Sequence, residues 1–235
     1  MEKTERPRVK VCCIASVAEA RLAVSLGASA LGLVSAMPSG PGVVDDATIA
    51  AVSAVVPPPV ARFLLTSRTE VPAIVAQQRA SSVDTLQICD RLTDGTHAEL
   101  RAALPGVRLV QVVHVTGPES VDEAVAVAPQ VDALLLDSGD QRLAVKQLGG
   151  TGRRHDWTLS ARIREAVPVP LFLAGGLSAA NAREAVEAVG PFGLDICSGV
   201  RTDGSLDAAK LQAFMDALDA AHAEIGRPVA AQEWK

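Results

Sequence analysis

Glycines cluster in three segments in the second half of the sequence, in a pattern typical of phosphate binding. Two of these segments, Ala174-Gly175-Gly176-Leu177 and Cys197-Ser198-Gly199-Val200, directly follow short apolar runs, and Gly149-Gly150-Thr151-Gly152 lies upstream of both. Loops of this kind expose backbone N–H groups that form a concave anion site. Glycines also serve ordinary tight turns, but three such loops in succession favour a site for a phosphorylated ligand.

Three ionisable side chains stand at the ends of apolar runs, where they could move protons. They are Cys12, Asp137 and Asp195. A carboxylate at the end of a buried strand needs a charge partner or a catalytic role, and a thiol becomes a base or nucleophile when its thiolate is stabilised. The alternatives are a helix N-cap or loop hydrogen-bond acceptor for Asp137, and a small buried apolar side chain for Cys12.

The histidines and cysteines show no metal-binding pattern. The chain contains four of each, namely His97, His114, His155, His222, Cys12, Cys13, Cys89 and Cys197. Neither set has the spacing of a zinc site, and the cysteines lack the density of a disulfide framework. We therefore predict no metal site and reduced thiols.

Short apolar runs alternate with helical patterns along almost the whole chain. The predicted strands are 9–14, 30–34, 60–65, 85–88, 108–115, 133–136, 169–174 and 193–197. The predicted helices, which carry apolar residues three or four positions apart, are 17–26, 47–55, 71–80, 97–104, 121–128, 159–166, 181–189 and 208–221. Strict alternation of buried strands with amphipathic helices is typical of parallel strands joined by helical crossovers.

Eight such units predict a single closed (β/α)8 TIM barrel of the α/β class, with an open doubly wound sheet as the alternative. The length of 235 residues fits one barrel domain over 1–235, in which 223–235 form a C-terminal tail. Active sites of this architecture lie at the carboxyl ends of the strands, where the two longest connections, 35–44 and 138–157, begin. The first and eighth strands are neighbours in a closed barrel, so Cys12 and Cys197 should lie close together.

The composition argues against several classes of protein. Hydrophobic residues make up 49% of the chain, and 27 acidic against 22 basic side chains leave a net charge of −5, which argues against disorder and nucleic-acid binding. No apolar run approaches the ~20 residues of a membrane span, and the first residues are too polar for a signal peptide. We therefore predict a cytoplasmic protein with no nucleic-acid or membrane partner.

Several segments resemble motifs of the phosphoribosylanthranilate isomerase family. Lys10-Val11-Cys12-Cys13-Ile14 is similar to the family's K-[IV]-C-G-I. The most specific combination is Leu135-Leu136-Asp137-Ser138 with the segment 149–157, which resembles L-L-D-[ST] and G-G-T-G-x-x-F-D-W. Segments 27–32, 173–181 and 195–200 resemble G-A-D-A-[LI]-G, L-A-G-G-L…N and D-[VI]-S-S-G-V. The resemblance covers most of the chain, roughly residues 9 to 218.

The resemblance implies a (β/α)8 isomerase of tryptophan biosynthesis that performs an Amadori rearrangement without a cofactor. Its substrate is a small phosphorylated aminosugar, N-(5-phosphoribosyl)anthranilate, whose furanose ring opens before a proton leaves C2. This chemistry needs a general acid near the ring oxygen and a general base near C2. By resemblance, Cys12 is the base, Asp137 is the acid, and Asp195 lies close to the reacting centre.

The same resemblance assigns the binding residues. The backbone N–H groups of the two later glycine segments, 174–177 and 197–200, are expected to bind the substrate phosphate. The earlier segment, 149–152, is expected to form a loop that contacts the substrate. The phosphate-binding residues are Gly175, Gly176, Ser198 and Gly199, and the substrate-loop residues are Gly150, Thr151 and Gly152. Barrels of this type occur as monomers and dimers, so we expect a monomer or a homodimer.

The chain departs from the family pattern at the end of the site that binds the aromatic carboxylate. Where the family carries an arginine in its second loop this chain has Gly42, and Cys12-Cys13-Ile14-Ala15 stands in place of C-G-I-T. Arg153, Arg154 or Arg201 could supply the missing cation. Two alternatives therefore stay open: a related barrel that acts on a different phosphorylated aminosugar, and a non-catalytic barrel that binds sugar phosphates.

Overall fold

The computed structural model describes residues 6–225, which form a closed barrel of parallel strands surrounded by helices. The barrel strands are β1 (Arg8–Val11), β2 (Ala30–Val34), β3 (Ala61–Thr66), β4 (Thr85–Ile88), β5 (Arg108–His114), β6 (Ala133–Asp137), β7 (Leu171–Leu173) and β8 (Gly193–Ile196). Each strand pairs with the next along the chain, and β8 pairs with β1. The predicted closed (β/α)8 barrel is confirmed, and the alternative of an open sheet is wrong.

A helix follows each strand of the barrel. The helices are α1 (Val17–Ser25), α2 (Asp46–Val55), α3 (Val71–Ser81), α4 (His97–Ala103), α5 (Glu119–Val127), α6 (Trp157–Ala166), α7 (Ala182–Val189) and α8 (Ala208–Ile225). A short hairpin of β9 (Arg201–Thr202) and β10 (Ser205–Leu206) precedes α8. Within residues 6–225, no helix is long and apolar enough to cross a membrane.

The C-terminal helix is longer than predicted. The sequence predicts a tail over 223–235, but α8 continues to Ile225, because no glycine or proline interrupts the helix before Gly226. The remainder of the predicted tail lies outside the described residues.

Alternation of side chains along the strands fills the barrel. On β6, Ala133 and Leu135 belong to the cluster inside the barrel, whereas Leu134 and Leu136 pack in the layer between the strands and the helices. Successive side chains of a strand face opposite sides, so Asp137 shares the interior face with Ala133 and Leu135. This periodicity brings the carboxylate to the carboxyl end of the barrel.

A buried ion pair joins the two strands that close the barrel. Lys10 of β1 lies opposite Asp195 of β8 in the strand register, and its Nζ atom donates a hydrogen bond to Oδ1 of Asp195 at 2.8 Å. The lysine side chain is fully buried, with Nζ 5.3 Å from the centre of the Phe63 ring. Gly32 of β2 makes room for it, since a Cβ atom at Gly32 would stand 3.0 Å from Nζ.

The lysine keeps its positive charge in this interior. Burial acts to lower the pKa of Lys10, but the Asp195 carboxylate beside it outweighs burial and raises that pKa above its ordinary value. The two charges therefore depend on each other, because removing one partner of a buried pair leaves the other charge without compensation.

We expect Lys10→Met to lower the free energy of unfolding by about 3–5 kcal/mol, since it leaves a buried carboxylate unpaired. The double variant Lys10→Met/Asp195→Leu should recover most of that loss, because it removes both charges at similar volume. Urea unfolding of the three proteins measures both effects.

A matched control is Arg91→Met. Arg91 pairs with Glu123 on the surface and its side chain is 69% exposed, so this variant should lose less than about 1 kcal/mol. Equal losses in the single and double Lys10 variants would show that the unpaired carboxylate is not the source of the instability.

Candidate active site

A cavity opens at the carboxyl ends of the barrel strands and contains nearly all the predicted site residues. Those that line it are Cys12, Asp137, Asp195, Gly150, Thr151, Gly152, Gly175, Gly176 and Ser198. The closed barrel brings them together from β1, β6, β7 and β8 and from the connections that follow these strands. The sequence positions of these residues span more than 180 places, so the site exists only in the folded barrel.

The two long connections predicted to be functional meet over this cavity. Ser39, in the connection after β2, donates a hydrogen bond from its hydroxyl to the carbonyl oxygen of Lys146, after β6, at 2.7 Å. Gly150 packs against the Pro41 ring so closely that a Cβ atom at Gly150 would stand 2.5 Å from Cδ. Both connections contribute residues to the lining. Together they form one rim of the cavity.

Gly199 is the one predicted phosphate-binding residue that does not line the cavity. It packs against the loop after β7, where a Cβ atom at Gly199 would stand 2.1 Å from the carbonyl oxygen of Leu177. The absence of a side chain at Gly199 therefore allows the loops after β7 and β8 to approach each other. This close approach brings Gly176 and Ser198 to the same part of the lining.

Backbone donors at this place have no partner among the described residues. The N–H groups of Gly176 and Ser198 donate no hydrogen bond to another group of residues 6–225. Gly176 has a φ of 65°, and a Cβ atom there would lie 2.9 Å from the backbone nitrogen of Arg154, so this position requires glycine. Gly152 also lies against this loop, since a Cβ atom placed there would stand 3.6 Å from the Ser198 hydroxyl. Unpaired N–H groups in a concave lining can bind an anion.

Asp137 presents one carboxylate oxygen to the cavity. Its Oδ1 atom accepts a hydrogen bond from the backbone N–H of Ser138 at 2.7 Å, whereas Oδ2 has no hydrogen-bond partner among the described residues. Gly149 lies directly beside Oδ2, since a Cβ atom there would stand 2.8 Å from it. The Ser138 hydroxyl is in turn 2.5 Å from the Thr151 hydroxyl. One oxygen is thus held by the protein and the other is available to a ligand.

Cys12 lies above the buried ion pair. Its Sγ atom and the Nζ atom of Lys10 both lie within 3.0 Å of the position that a Cβ atom would take at Gly32, which places the two atoms less than about 6 Å apart. Sequence analysis missed Lys10, although a lysine between Val9 and Val11 in a buried strand needs a charge partner. The thiol therefore has a permanent positive charge as a neighbour.

Arg201 holds the backbone that carries Cys12. Its guanidinium group donates hydrogen bonds to the carbonyl oxygens of Cys12 and Cys13 and pairs with the Glu19 carboxylate of α1. The sequence predicts that the first strand runs to Ile14, but β1 ends at Val11. The physical reason is that Cys13 adopts a φ of 62°, which lies outside the extended region.

None of the three arginines considered as substitutes for a cation at position 42 lines the cavity. Arg201 is occupied by Glu19 and two backbone carbonyls, as described above. Arg154 pairs with Glu184 and stacks on the ring of Trp157 at 3.6 Å, and Arg153 donates to the Gln147 side chain at 2.6 Å. The expectation that one of them supplies the cation is therefore not supported by their positions.

The strand register and the hydrogen bond from the Cys12 N–H to the Ile196 carbonyl bring Cys12 and Cys197 close together, as expected, but the sulfur of Cys197 contacts Cys13. The two Sγ atoms are 2.8 Å apart, and all four cysteines are free thiols. Sequence analysis gave Cys13 no role. Its contacts arise because Cys13 adopts a φ of 62°, which turns the chain after Cys12 and which the sequence pattern did not predict. Cys13 and Cys197 both line the cavity.

His155, near Asp137, is held neutral by its surroundings. Burial lowers the pKa of His155 to about 4, although the carboxylates of Asp137 and Asp156 act to raise it. Its Nε2 atom is 2.7 Å from the Ser160 hydroxyl, and Nδ1 is buried without a partner. A neutral imidazole beside the cavity adds no positive charge to it.

Comparison with known proteins identifies close relatives. Residues 9–217 match the family model described as N-(5'phosphoribosyl)anthranilate (PRA) isomerase. The N-(5'-phosphoribosyl)anthranilate isomerase of Halorubrum lacusprofundi is 37% identical over 202 residues, which cover 85% of this chain and 91% of the relative. N-(5'-phosphoribosyl)anthranilate isomerase 2 of Methanosarcina mazei is 31% identical over 210 residues, which cover 88% of this chain and 92% of the relative.

Solved structures give the same result for the fold. Phosphoribosyl anthranilate isomerase from Thermotoga maritima has a TM-score of 0.75 at 25% identity, covering 91% of this chain and 99% of that one. Another phosphoribosyl anthranilate isomerase, with a TM-score of 0.73 at 24% identity and coverage of 91% and 99%, was solved in complex with reduced 1-(o-carboxyphenylamino)-1-deoxyribulose 5-phosphate.

The lowered pKa of His155 predicts how stability changes in mild acid. With a folded pKa of about 4, His155 stays neutral in the folded chain, whereas an unfolded histidine takes up a proton below about pH 6.5. Stability is therefore fully present above pH 6.5 and is lost as the pH falls towards 4. Between pH 7 and pH 5, wild type should lose about 2 kcal/mol more unfolding free energy than His155→Phe.

Urea unfolding of both proteins at the two pH values measures this difference. Other titrating groups are common to the two proteins and cancel in the comparison. Parallel pH profiles would contradict the assignment of a neutral, partly buried imidazole.

Proposed function

The chain belongs to the N-(5'-phosphoribosyl)anthranilate isomerase family and is an isomerase of tryptophan biosynthesis; we propose that Cys12 is the base and Asp137 the acid of its reaction. The observation that carries the proposal is that one cavity holds a thiol, a carboxylate with an unpaired oxygen and unpaired backbone N–H groups. An Amadori rearrangement of a phosphorylated aminosugar needs a base, an acid and a phosphate anchor together.

Asp137 opens the sugar ring. With Oδ1 held by the Ser138 N–H, a proton on Oδ2 points to the ligand and passes to the furanose ring oxygen. The bond between C1 and that oxygen breaks, and the nitrogen lone pair forms the C=N bond of a protonated Schiff base. The carboxylate that remains is the conjugate base of the acid.

Cys12 then takes the proton from C2. The electrons of the C–H bond form the C1=C2 double bond of an enolamine, which neutralises the nitrogen. Protonation of C1 by the Cys12 thiol and transfer of the O2 proton to the Asp137 carboxylate complete the aminoketose and restore both groups, so no proton is consumed overall. The Lys10 ammonium group, close to Sγ, stabilises the negative charge that the sulfur carries as a base.

Asp195 contributes through Lys10. Its Oδ1 atom accepts the hydrogen bond from Nζ at 2.8 Å, and its side chain lines the cavity. The Asp195 carboxylate compensates the buried charge of the Lys10 ammonium group. We therefore assign Asp195 to holding Lys10 beneath Cys12, and the proton transfers to Cys12 and Asp137.

The substrate phosphate binds to the loops after β7 and β8. The support is the pair of unpaired N–H groups at Gly176 and Ser198, with Gly175 adjoining them in the lining. The substrate loop 150–152 closes over this place, since Gly152 lies against Ser198. Anchoring the phosphate here fixes the sugar between the acid and the base.

We propose a cytoplasmic location and a monomer or homodimer. The free state of Cys12, Cys13, Cys89 and Cys197 supports the location, because reduced thiols persist in the reducing cytosol. Size-exclusion chromatography with light scattering distinguishes the two oligomeric states.

Removing either proton-transfer group should abolish most turnover. We expect Cys12→Ser and Asp137→Asn each to lower kcat by at least ~10²-fold, the usual scale for a lost acid or base, with little change in thermal stability. The fluorescence decay of freshly made N-(5-phosphoribosyl)anthranilate measures turnover, and circular dichroism measures folding.

Cys89→Ala is the matched control. Cys89 is a fully buried thiol of the same barrel interior that does not line the cavity, and burial raises the pKa of this thiol. Its replacement should leave kcat within about threefold of wild type. Retained turnover in either Cys12→Ser or Asp137→Asn would show that the roles are wrongly assigned.

The phosphate site is tested with ribose 5-phosphate. At 100 times its Kd this ligand should add about 2.7 kcal/mol of stability and raise the Tm. Ser198→Asp places a carboxylate beside the N–H donors and should remove the shift, whereas Ser198→Ala keeps those donors and should retain most of it. An unchanged shift in Ser198→Asp would place the phosphate elsewhere, and a shift in wild type without turnover would favour the non-catalytic alternative.

A further inference from the structure

The cavity carries no cationic side chain. Among the described residues that line it there is no lysine, arginine or histidine, and its ionisable groups are cysteines and the carboxyl groups of Asp137 and Asp195. Lys10 lies beneath it, but its ammonium group is bound to Asp195. A substrate whose aromatic ring bears a carboxylate therefore finds no ion-pair partner in this lining.

Cys13 occupies the space that a side chain at position 42 would need. A Cβ atom at Gly42 would stand 2.4 Å from Cβ and 2.8 Å from Sγ of Cys13, which is far inside van der Waals contact. Gly42 also has a φ of 79°, a conformation that favours glycine. As long as Cys13 is present, position 42 accepts no side chain and hence no charge.

Contacts on three sides hold Cys13 in this place. Its Sγ atom is 2.8 Å from Sγ of Cys197 and 3.7 Å from the carbonyl oxygen of Pro41, and Arg201 binds its carbonyl oxygen. Hydrogen bonding with Cys12 and Cys197, together with burial, raises the pKa of Cys13. Cys13 is therefore a neutral thiol that fills a defined space.

Three of the positions that differ from the family motifs contact one another. Cys13 stands where the motif has glycine, Gly42 where it has arginine, and Cys197 where it has serine. Cys13 touches both of the others. The three replacements form one packed unit between the loops after β1, β2 and β8.

From this unit we infer that Cys13 and Gly42 together determine specificity: they keep the aromatic end of the cavity uncharged, so that the enzyme accepts N-aryl phosphoribosylamines with or without a ring carboxylate. The inference rests on the proposed function. The ring carboxylate of N-(5-phosphoribosyl)anthranilate then contacts only neutral donors, such as hydroxyl and backbone N–H groups of the rim.

The test compares two substrates made from ribose 5-phosphate, one with anthranilate and one with aniline, which lacks the carboxylate. Conversion is followed by chromatography in the presence of a thiol reductant. We expect wild-type kcat/KM for the two to agree within about tenfold, because a buried ion pair to the carboxylate would separate them by about 30-fold or more.

Variants at both positions test the role of Cys13 itself. Gly42→Arg alone should lose most of its activity through the collision with Cys13. Cys13→Gly/Gly42→Arg removes the contacts with Cβ and Sγ of Cys13, so that only the 2.9 Å approach to its Cα atom has to relax. The guanidinium group then reaches the cavity, and the preference for the anthranilate substrate should rise at least about 30-fold over wild type. Cys13→Gly alone is the matched control, and it should keep the wild-type ratio because it adds no charge.

The outcomes separate the inference from the function on which it rests. A wild-type preference for the anthranilate substrate above about 30-fold would overturn the inference, as would a Gly42→Arg single variant as active and selective as the double variant. Turnover of neither substrate by wild type would overturn the proposed function itself.

Discussion

A charged pair inside the barrel, between Lys10 and Asp195, constrains the site above it. The pair spans the seam between β1 and β8, so it forms only when the barrel closes, and its ammonium group needs the space left by Gly32. Sγ of Cys12 borders the same space. The sulfur therefore has a fixed cation beneath it and the cavity above it, an environment suited to a group that carries negative charge during catalysis.

A second ion pair, between Arg201 and Glu19, fixes the backbone of Cys12 and Cys13. Arg201 and Glu19 connect the hairpin before α8 to α1, and Arg201 also binds the carbonyl oxygens of Cys12 and Cys13. The chain consequently turns after Cys12 and does not continue as a strand. Two consecutive thiols are thereby directed to two different glycines, Cys12 to Gly32 and Cys13 to Gly42.

Local patterns made the strands, the helices and the strand-end residues predictable, because periodicity and strand ends can be read from neighbouring positions. Asp137 is an example, since it ends an apolar run that is also β6. The Lys10–Asp195 pair could not be read in this way, because its partners are 185 positions apart and meet only through barrel closure. The role of Arg201 was missed for the same reason, since Glu19 is 182 positions away.

The three residues Cys13, Gly42 and Cys197 pack against one another and are separate from the proposed acid, Asp137. A side chain at position 42 collides with Cys13, and the sulfur of Cys13 rests on that of Cys197, so changing one of the three disturbs the other two. Asp137 stands three strands away from β1 around the barrel and is free of this constraint. Cys12 is not, because one peptide bond links it to Cys13 and Arg201 binds both carbonyls. A residue that helps to determine the substrate range, Cys13, is thus covalently linked to the proposed base, Cys12. A substitution that changes which aromatic ring the enzyme accepts must therefore leave the position of the Cys12 sulfur unchanged.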